Sequence, residues 1–246
     1  MKQCRRYKFI CIERDRAMKE WLVGTLVVVF FVIALGTVCN LVTNPPFQSE
    51  FSPDLVMQSV VHIGASGDYG DWQGSGVYVG DGLILTAGHV VDGADTFVVS
   101  FEDGQSSYAS STFYKEPTAD VGFILLEGYD GPTLVFDNDG YDRGDTAFIF
   151  GSPFGWDYKF SVSKGIIASV QRDCDGFFGE KIMLQSDAAS YPGNSGGPVT
   201  DDEGEIIGIL VGGTRSSDNI SLIIPADICR QSMRIYLEIL KLASME

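Results

Sequence analysis

Short apolar runs separated by turn residues fill the chain between residues 60 and 213. Asp-Gly pairs, which are typical of tight hairpins, stand at 81–82, 92–93, 103–104 and 139–140. This spacing favours a sandwich or barrel over alternating strands and helices. The predicted strands cover residues 60–63, 76–80, 83–90, 96–102, 121–127, 146–152, 160–170, 181–186, 198–201 and 206–213.

We therefore predict an all-β body with two halves of about six strands each, joined near residues 128–132. Helices are expected only at its ends. A short one is predicted near residues 54–59. A longer one is predicted to close the chain at 225–243, because Pro225 is suited to a helix start and Ile228, Tyr236, Ile239 and Leu240 recur at helical spacing.

The segment from 21 to 42 carries no charged residue. As a helix of that length it spans roughly 33 Å, close to the hydrocarbon core of a bilayer, which is about 30 Å thick. The first twenty residues hold seven Lys/Arg and three Asp/Glu, and such a basic flank stays in the cytoplasm. We predict a cytoplasmic tail at 1–20, an uncleaved membrane anchor at 21–43 and a linker at 44–53. A cleaved signal peptide is the alternative. The domain at 54–246 is then expected outside the cytoplasm, in the periplasm or the extracellular space.

The formal net charge of −16 argues against binding to nucleic acid, because an acidic surface repels phosphates. Beyond the predicted anchor the cysteines are Cys174 and Cys229. They could pair in an oxidising compartment, but the sequence does not give their separation. There is no Cys-x-x-Cys and no His/Cys cluster, so we predict neither a metal site nor a cofactor.

The run Tyr191-Pro-Gly-Asn-Ser195-Gly-Gly-Pro198 surrounds one serine with glycines. Glycine allows a tight turn and close approach of a substrate carbonyl. Such a turn also allows the amides of Gly193 and Ser195 to point at one spot, as an oxyanion hole requires. The run is therefore a candidate nucleophile loop, although a plain glycine-rich turn is the alternative.

The base that such a serine needs has few candidates, because the chain contains two histidines. His62 lies inside an apolar strand, Val-Val-His-Ile, where packing is the better explanation. His89 ends the run Leu83-Ile-Leu-Thr-Ala-Gly-His89, so its imidazole should emerge at a strand end. We predict that His89 is the base.

Asp120 opens an apolar strand, Asp120-Val-Gly-Phe-Ile-Leu-Leu. A buried carboxylate is costly unless it is paired, and a hydrogen bond to His89 would pair it and fix the imidazole tautomer. An ordinary turn aspartate is the alternative.

Gly193-x-Ser195-x-Gly197 also fits the nucleophile elbow of α/β-hydrolases, but those enzymes need a histidine after the serine and none follows here. The order His89, Asp120, Ser195 is that of the chymotrypsin class.

These motifs resemble the HtrA (DegP-like) branch of the chymotrypsin-like serine proteases. The resemblance covers about residues 54–240. Its segments are Gly74-Ser-Gly-Val-Tyr-Val, Asp81-Gly-Leu-Ile-Leu-Thr-Ala-Gly-His89, Ala119-Asp120-Val-Gly-Phe-Ile, Gly151-Ser-Pro-Phe-Gly, Ser163-Lys-Gly-Ile-Ile-Ala-Ser and Ser186-Asp-Ala-Ala running into the Ser195 loop.

The resemblance implies two six-stranded Greek-key barrels, at about 54–130 and 131–225, with the site between them. It implies a serine endopeptidase acting on protein or peptide substrates, with activity that needs no zymogen cleavage because residue 194 is asparagine. It also implies a possible homotrimer. The position six before Ser195, Ala189, would lie near the base of the primary specificity pocket. A wall at Leu210–Gly213, comprising Leu210, Val211, Gly212 and Gly213, would complete that pocket.

Two features leave alternatives open. HtrA proteases usually carry a C-terminal PDZ domain, and the sequence ends about twenty residues after Pro225, so regulation through such a domain is in doubt. A catalytically silent binding module with the same fold is one alternative to an active enzyme. A protease that stays latent until a partner orders the segments 65–73 and 173–180 is another. Solvated hairpin tips are the simpler interpretation of those segments.

Overall fold

The computed structural model describes residues 51–104, 107–173, 182–213 and 219–245. The predicted tail, anchor and most of the linker lie outside these residues. Within the described part, no helix has the length and apolar character that a membrane crossing requires. Residues 51–246 form one compact unit.

The first half begins with a short helix, α1 (Pro53–Met57), and continues with seven strands and one helical turn. The strands are β1 (Val60–Gly67), β2 (Gly70–Tyr78), β3 (Leu83–Ala87), β4 (Thr96–Phe101), β5 (Ser107–Ser110), β6 (Phe113–Lys115) and β7 (Val121–Leu125); the turn, α2 (Gly88–Val91), follows β3. All neighbours are antiparallel, in the order β5-β4-β1-β2-β3-β7-β6.

The second half is a closed six-stranded barrel. It contains β8 (Thr146–Gly151), β9 (Ser161–Asp173), β10 (Ile182–Ser186), β11 (Pro198–Thr200), β12 (Ile206–Gly213) and β13 (Ser221–Pro225), with a 3₁₀ turn at Trp156–Tyr158. The ladder runs β10-β13-β12-β11-β8-β9 and returns to β10. Helix α3 (Ala226–Ala243) closes the chain.

The prediction of an all-β fold with a C-terminal helix is confirmed, and so is the closed six-stranded barrel. The first half differs in strand number and closure, since its seven strands form an open sheet in the described residues. The extra strands, β5 and β6, lie at the two edges and show mixed exposed and half-buried positions. Short edge strands of this kind carry no apolar run, so the sequence pattern did not reveal them.

The first hairpin is longer than predicted, because β1 continues to Gly67 and β2 begins at Gly70, where strands at 60–63 and 76–80 were expected. The segment 65–73 is therefore the end of this hairpin, with Gly67 paired to Gly70, in agreement with the simpler interpretation. β13 was not predicted: it runs directly into the closing helix, and no turn segment separates the two. Its five residues are all buried, and its pairing with β10 and β12 completes the barrel.

Large side chains in the sheets form the core of each half. Phe97, Phe123 and Tyr78 are fully buried in the cluster of the first sheet, while Ile149 and Ile167 lie in the barrel. Burying side chains of this size contributes about 1.5–3 kcal/mol each before entropy is counted. The two halves are therefore stable platforms for the loops that meet between them.

Helix α3 packs on the first sheet through its buried Tyr236, which stacks on Tyr114 with ring centroids 4.8 Å apart. Cys229 is also buried on this helix. Cys174, which could pair with it, lies outside the described residues.

Candidate active site

Asp120 and His89 meet where β3 and β7 lie side by side, because Ala87 is paired with Val121. The Nδ1 of His89 lies 2.6 Å from Oδ2 of Asp120, and the backbone amide of His89 donates to Oδ1 over 2.6 Å. Asp120 is 5% exposed, whereas the His89 side chain is 35% exposed. The carboxylate is thus buried with both oxygens accepting hydrogen bonds, and the imidazole still reaches the surface.

Glycine at 88 allows the turn before His89 to pack closely against Asp120. A Cβ on Gly88 would lie 3.0 Å from Oδ1 and 3.1 Å from the carbonyl carbon of Asp120. The amide of Gly88 donates to the Asp120 carbonyl oxygen at 2.9 Å. Close backbone contact therefore holds the histidine turn against the aspartate.

The loop that carries Ser195 docks on the same strand end. The Ser195 carbonyl accepts a hydrogen bond from the Ser75 amide at 2.8 Å. A Cβ on Gly74 would lie 2.6 Å from Val90 and 3.1 Å from the Ser195 carbonyl oxygen. Val90 follows His89 directly, so Ser195 lies beside the histidine turn, although it comes from the second half of the chain.

Gly196 explains why this docking is close. A Cβ at that position would collide with the hydroxyl of Thr86 and the carbonyl of Ser75, and would lie 2.7 Å from the Ala87 amide. Its φ of +86° also favours glycine. The loop can approach β3 only with glycine at 196.

The amide of Gly193 has a fixed direction. In a trans peptide the N–H and C=O groups point in opposite directions. The carbonyl of Pro192, which shares a peptide with the Gly193 amide, accepts a hydrogen bond from the Phe154 amide at 2.8 Å. In the described part of the chain, no protein group accepts a hydrogen bond from the Gly193 amide, which faces away from Phe154.

The Ser195 amide is oriented in the same manner. The carbonyl of Asn194, on the same peptide, accepts from the Gly197 amide at 2.9 Å. Among the described residues the Ser195 amide has no acceptor either. Two unengaged amides separated by one residue are the arrangement that an oxyanion hole needs.

Residue 193 must be glycine for this arrangement. Its φ is +104°, and a Cβ would collide with the carbonyl oxygen of Ser152. If the Gly193 amide serves as an oxyanion donor, Gly193→Ala should lower kcat by about 10²-fold, because the loop is displaced. The matched control is Gly70→Ala, where φ is +105° and nothing lies within 4 Å of the new Cβ. Equal losses of kcat in the two variants would mean that backbone strain alone, and not the oxyanion amide, is responsible.

The predicted pocket residues fall in two groups. Leu210 and Val211 are buried, with their side chains in the core clusters of the barrel and of the first sheet. Gly212 and Gly213, at the end of β12, and Ala189 are half-buried. The accessible candidates for contact with a substrate are therefore the glycines and Ala189.

Two hydroxyls beside these residues were not anticipated from the sequence. Ser190 Oγ lies 2.7 Å from Ser221 Oγ, and the Ser221 hydroxyl donates to the Ala188 carbonyl at 2.7 Å. Ser190 is therefore the donor to Ser221. The Ser190 hydroxyl also lies 3.5 Å from the position of a Cβ on Gly213, so the segment 188–190 and the end of β12 are neighbours.

His62 lies on β1 and is 2% exposed, with its Nε2 3.2 Å from Oε1 of Gln73. Burial lowers the pKa of His62, against the opposing effect of the hydrogen bond with Gln73. Burial therefore favours the neutral ring, which lies within the sheet on β1. The Asp120 carboxylate is engaged by the other histidine, His89.

Three carboxylates lie together near the β11–β12 turn. Oxygens of Asp137, Asp201 and Glu205 are within 4.8 Å of one another, a spacing that could accommodate a cation. Burial, and next the charge of Asp201, raises the pKa of Glu205. Burial also raises the pKa of Asp201, although backbone amides that donate to its carboxylate oppose this.

We expect Glu205→Gln to stabilise the fold at neutral pH. A carboxyl whose folded-state pKa is raised destabilises the folded state at high pH; this penalty falls as the pH drops through the folded-state pKa and vanishes below the unfolded-state pKa. The gain in Tm should be on the order of 1–3 °C at pH 7, because solvent screens the group, and should disappear near pH 4. Thermal melts in a Ser195→Ala background avoid self-digestion, with Glu238→Gln, on the exposed side of α3, as the control. A lower Tm at pH 7 would contradict the expectation.

Comparison with known proteins agrees with this architecture. A family model described as the trypsin-like peptidase domain matches residues 74–209. A probable periplasmic serine endoprotease, DegP-like, of Pseudomonas fulva (strain 12-X) is 35% identical over 171 residues, which cover 67% of this chain and 34% of the relative. A relative of the same description from Halomonas elongata is 39% identical over 140 residues, covering 55% and 28%.

Solved structures give the same result. The HtrA-type protease AlgW with tripeptide is 28% identical, with a TM-score of 0.68 over 74% of this chain and 62% of that one. The serine endoprotease from Yersinia pestis, 24% identical with a TM-score of 0.64 over 74% and 65% of the two chains, shares the fold.

The chain spans about a third of the length of the two curated relatives. The resemblance to HtrA proteases that the motifs indicated is confirmed by these matches. By the match over residues 74–209, the chain belongs to the trypsin-like peptidase domain family.

Proposed function

We propose that the chain is a serine endopeptidase in which Ser195 is the nucleophile, His89 the general base and Asp120 the residue that orients the base. The observation that carries the proposal is the buried Asp120 carboxylate, which engages both the ring and the backbone of His89 beside the docked Ser195 loop. Burying a carboxylate for structure alone would be costly.

The proposed reaction follows from this geometry. Asp120 holds Nδ1 of His89 as the protonated nitrogen, so that Nε2 can take the proton of Ser195 during attack on a peptide carbonyl. The amides of Gly193 and Ser195 stabilise the oxyanion of the tetrahedral intermediate. His89 then protonates the leaving amine, and water hydrolyses the acyl-enzyme.

Protein or peptide chains are the proposed substrates, since the relatives are named endoproteases and one neighbour holds a tripeptide. Residue 189 is alanine, and Ser190 supplies a neutral hydroxyl, so these two residues of the proposed pocket offer no carboxylate to a Lys or Arg side chain. We expect cleavage after small or medium apolar residues. Profiling with a peptide library tests this, and a preference for Arg would overturn it.

We also propose a cellular location and an assembly for the chain. The curated relatives are named periplasmic, and the charge pattern of residues 1–43 fits an anchor with the catalytic domain outside the cytoplasm. A homotrimer is the assembly that the family resemblance suggests. Protease protection in spheroplasts tests the topology, and analytical ultracentrifugation of the detergent-purified chain tests the trimer.

The activity itself is tested with a fluorophosphonate probe on the purified full-length chain. We expect a covalent adduct that peptide mapping assigns to Ser195, and no adduct in the heat-denatured chain. If the folded chain remains unlabelled while a reference serine protease reacts fully, a catalytically silent binding module becomes the better interpretation. Labelling that appears only when peptide is added would instead support the latent enzyme.

A further inference from the structure

We propose that Ser75 is a positioning residue that holds the oxyanion loop in its working geometry; this rests on the proposed function. Ser75 lies on β2 and is completely buried. Its hydroxyl donates to the carbonyl oxygen of Gly193 at 2.7 Å, across 118 residues of sequence. The same hydroxyl oxygen accepts a hydrogen bond from the amide of Ser152 at 2.9 Å.

These bonds settle where the hydroxyl proton points. A serine hydroxyl has one hydrogen to donate and two lone pairs that accept. Because the Ser152 amide can only donate, the single hydrogen of Ser75 is directed at Gly193. The side chain thereby ties two loops of the second half, at 152 and 193, to a strand of the first.

The acceptor matters because of its place in the loop. The proposed oxyanion donors are the amides of Gly193 and Ser195. The Gly193 carbonyl belongs to the Gly193–Asn194 peptide, which lies between the two peptides that carry those amides. The flanking peptides are held by the Phe154 and Gly197 amides. This central peptide is held at both of its polar groups: its N–H, from Asn194, donates to the Tyr191 carbonyl at 3.0 Å, and its carbonyl accepts from the Ser75 hydroxyl. Because glycine at 193 rotates easily, the Ser75 hydroxyl adds the contact that limits rotation of the carbonyl and so helps to fix the relative direction of the two amides.

Ser75 is itself held by the strand that leads to the base. Its carbonyl accepts from the Thr86 hydroxyl at 2.7 Å, and its amide donates to the Ser195 carbonyl at 2.8 Å. Thr86 lies three residues before His89 on β3. The position of the oxyanion loop is thus tied to the strand that leads into the histidine turn.

The test is Ser75→Ala, which removes the hydroxyl and keeps the backbone bond to Ser195. Ser59→Ala is the matched control, because Ser59 is also fully buried and its hydroxyl donates to a distant backbone carbonyl, that of Pro132, at 2.8 Å. The rate of Ser195 modification by a fluorophosphonate is measured on the full chain at 25 °C, after thermal melts have shown that each variant is folded at that temperature, and is resolved into kinact and KI. The pH dependence of kinact is recorded for each variant.

For Ser75→Ala we expect kinact to fall by about 10- to 100-fold, somewhat less than the loss of an oxyanion donor itself. KI should stay within about twofold, and the midpoint of the pH profile should not move, because the His89–Asp120 pair is untouched. Ser59→Ala should keep kinact within about threefold even where its Tm falls, since a lost buried hydrogen bond lowers stability without altering the site.

An unchanged kinact in Ser75→Ala would overturn the positioning role, and so would an equal fall in Ser59→Ala. A wild-type chain that does not react at all would instead overturn the proposed function, so the two failures can be told apart.

Discussion

Ser195→Ala is expected to lower the rate of peptide hydrolysis by about 10⁴-fold or more and to abolish fluorophosphonate labelling, because members of a triad act as a unit. The substitution should leave the fold intact. The contacts that dock the loop use the backbone of Ser195 and its glycine neighbours, and the Ser75 amide still finds the carbonyl at 195. Thermal melts of the two proteins should therefore superimpose closely.

The same variant provides a test of the triad as a unit. Once Ser195 is alanine, replacing His89 as well should cost little further activity, since the base has no proton left to take. The control Ser244→Ala, at the exposed end of α3, should retain full activity and labelling. If Ser195→Ala keeps more than about a tenth of the wild-type rate, the nucleophile lies elsewhere and the proposed mechanism is wrong.

Much of the second half of the fold was predictable because its longer strands are apolar and separated by strong turn signals. β8, β9 and β12 were all located in advance, and the barrel closes through them. The strands β5, β6 and β13 were not predicted, and all three are short. Their pairing depends on a neighbouring strand and not on any pattern of their own.

The proposed catalytic residues could be predicted from the sequence for a different reason. His89, Asp120 and Ser195 each stand at the end of a recognisable run, and the chain order removed the competing hydrolase fold. The polar contacts that hold these residues in place could not be predicted from the sequence. Ser75 and Gly193 are 118 residues apart. The residues around each of them do not indicate that the Ser75 hydroxyl donates to the Gly193 carbonyl across the two halves.

The specificity pocket could be predicted only in part from the sequence. The resemblance located the segment around Ala189 and the end of β12, but it could not show that Leu210 turns into the barrel core or that Ser190 pairs with Ser221. Which way a side chain points on a bulged strand depends on register, and β12 shifts register between Leu210 and Gly212. A shift of one residue exchanges the two faces of a strand, so sequence spacing alone could not identify the pocket wall.

Asp120→Asn is expected to lower kcat by about 10⁴-fold while leaving the fold nearly unchanged. Both carboxylate oxygens accept hydrogen bonds from His89, one from its amide and one from Nδ1, each at 2.6 Å. Asparagine has one carbonyl oxygen and one NH₂ group, so it cannot accept both bonds. If the oxygen takes the backbone amide, the NH₂ group faces Nδ1 and selects the imidazole tautomer with the proton on Nε2.

That tautomer cannot accept the proton of Ser195, and this is why the expected loss of kcat is so large for the exchange of one atom. Steady-state kinetics on a peptide substrate measure the effect, and KM should change much less than kcat because Asp120 is buried behind the histidine. Asp92→Asn is the matched control: Asp92 lies three residues after His89, and its carboxylate pairs with Lys115 at 2.6 Å on the surface. Comparable losses of kcat in both variants would show that negative charge near the site, and not the tautomer of His89, is what the reaction requires.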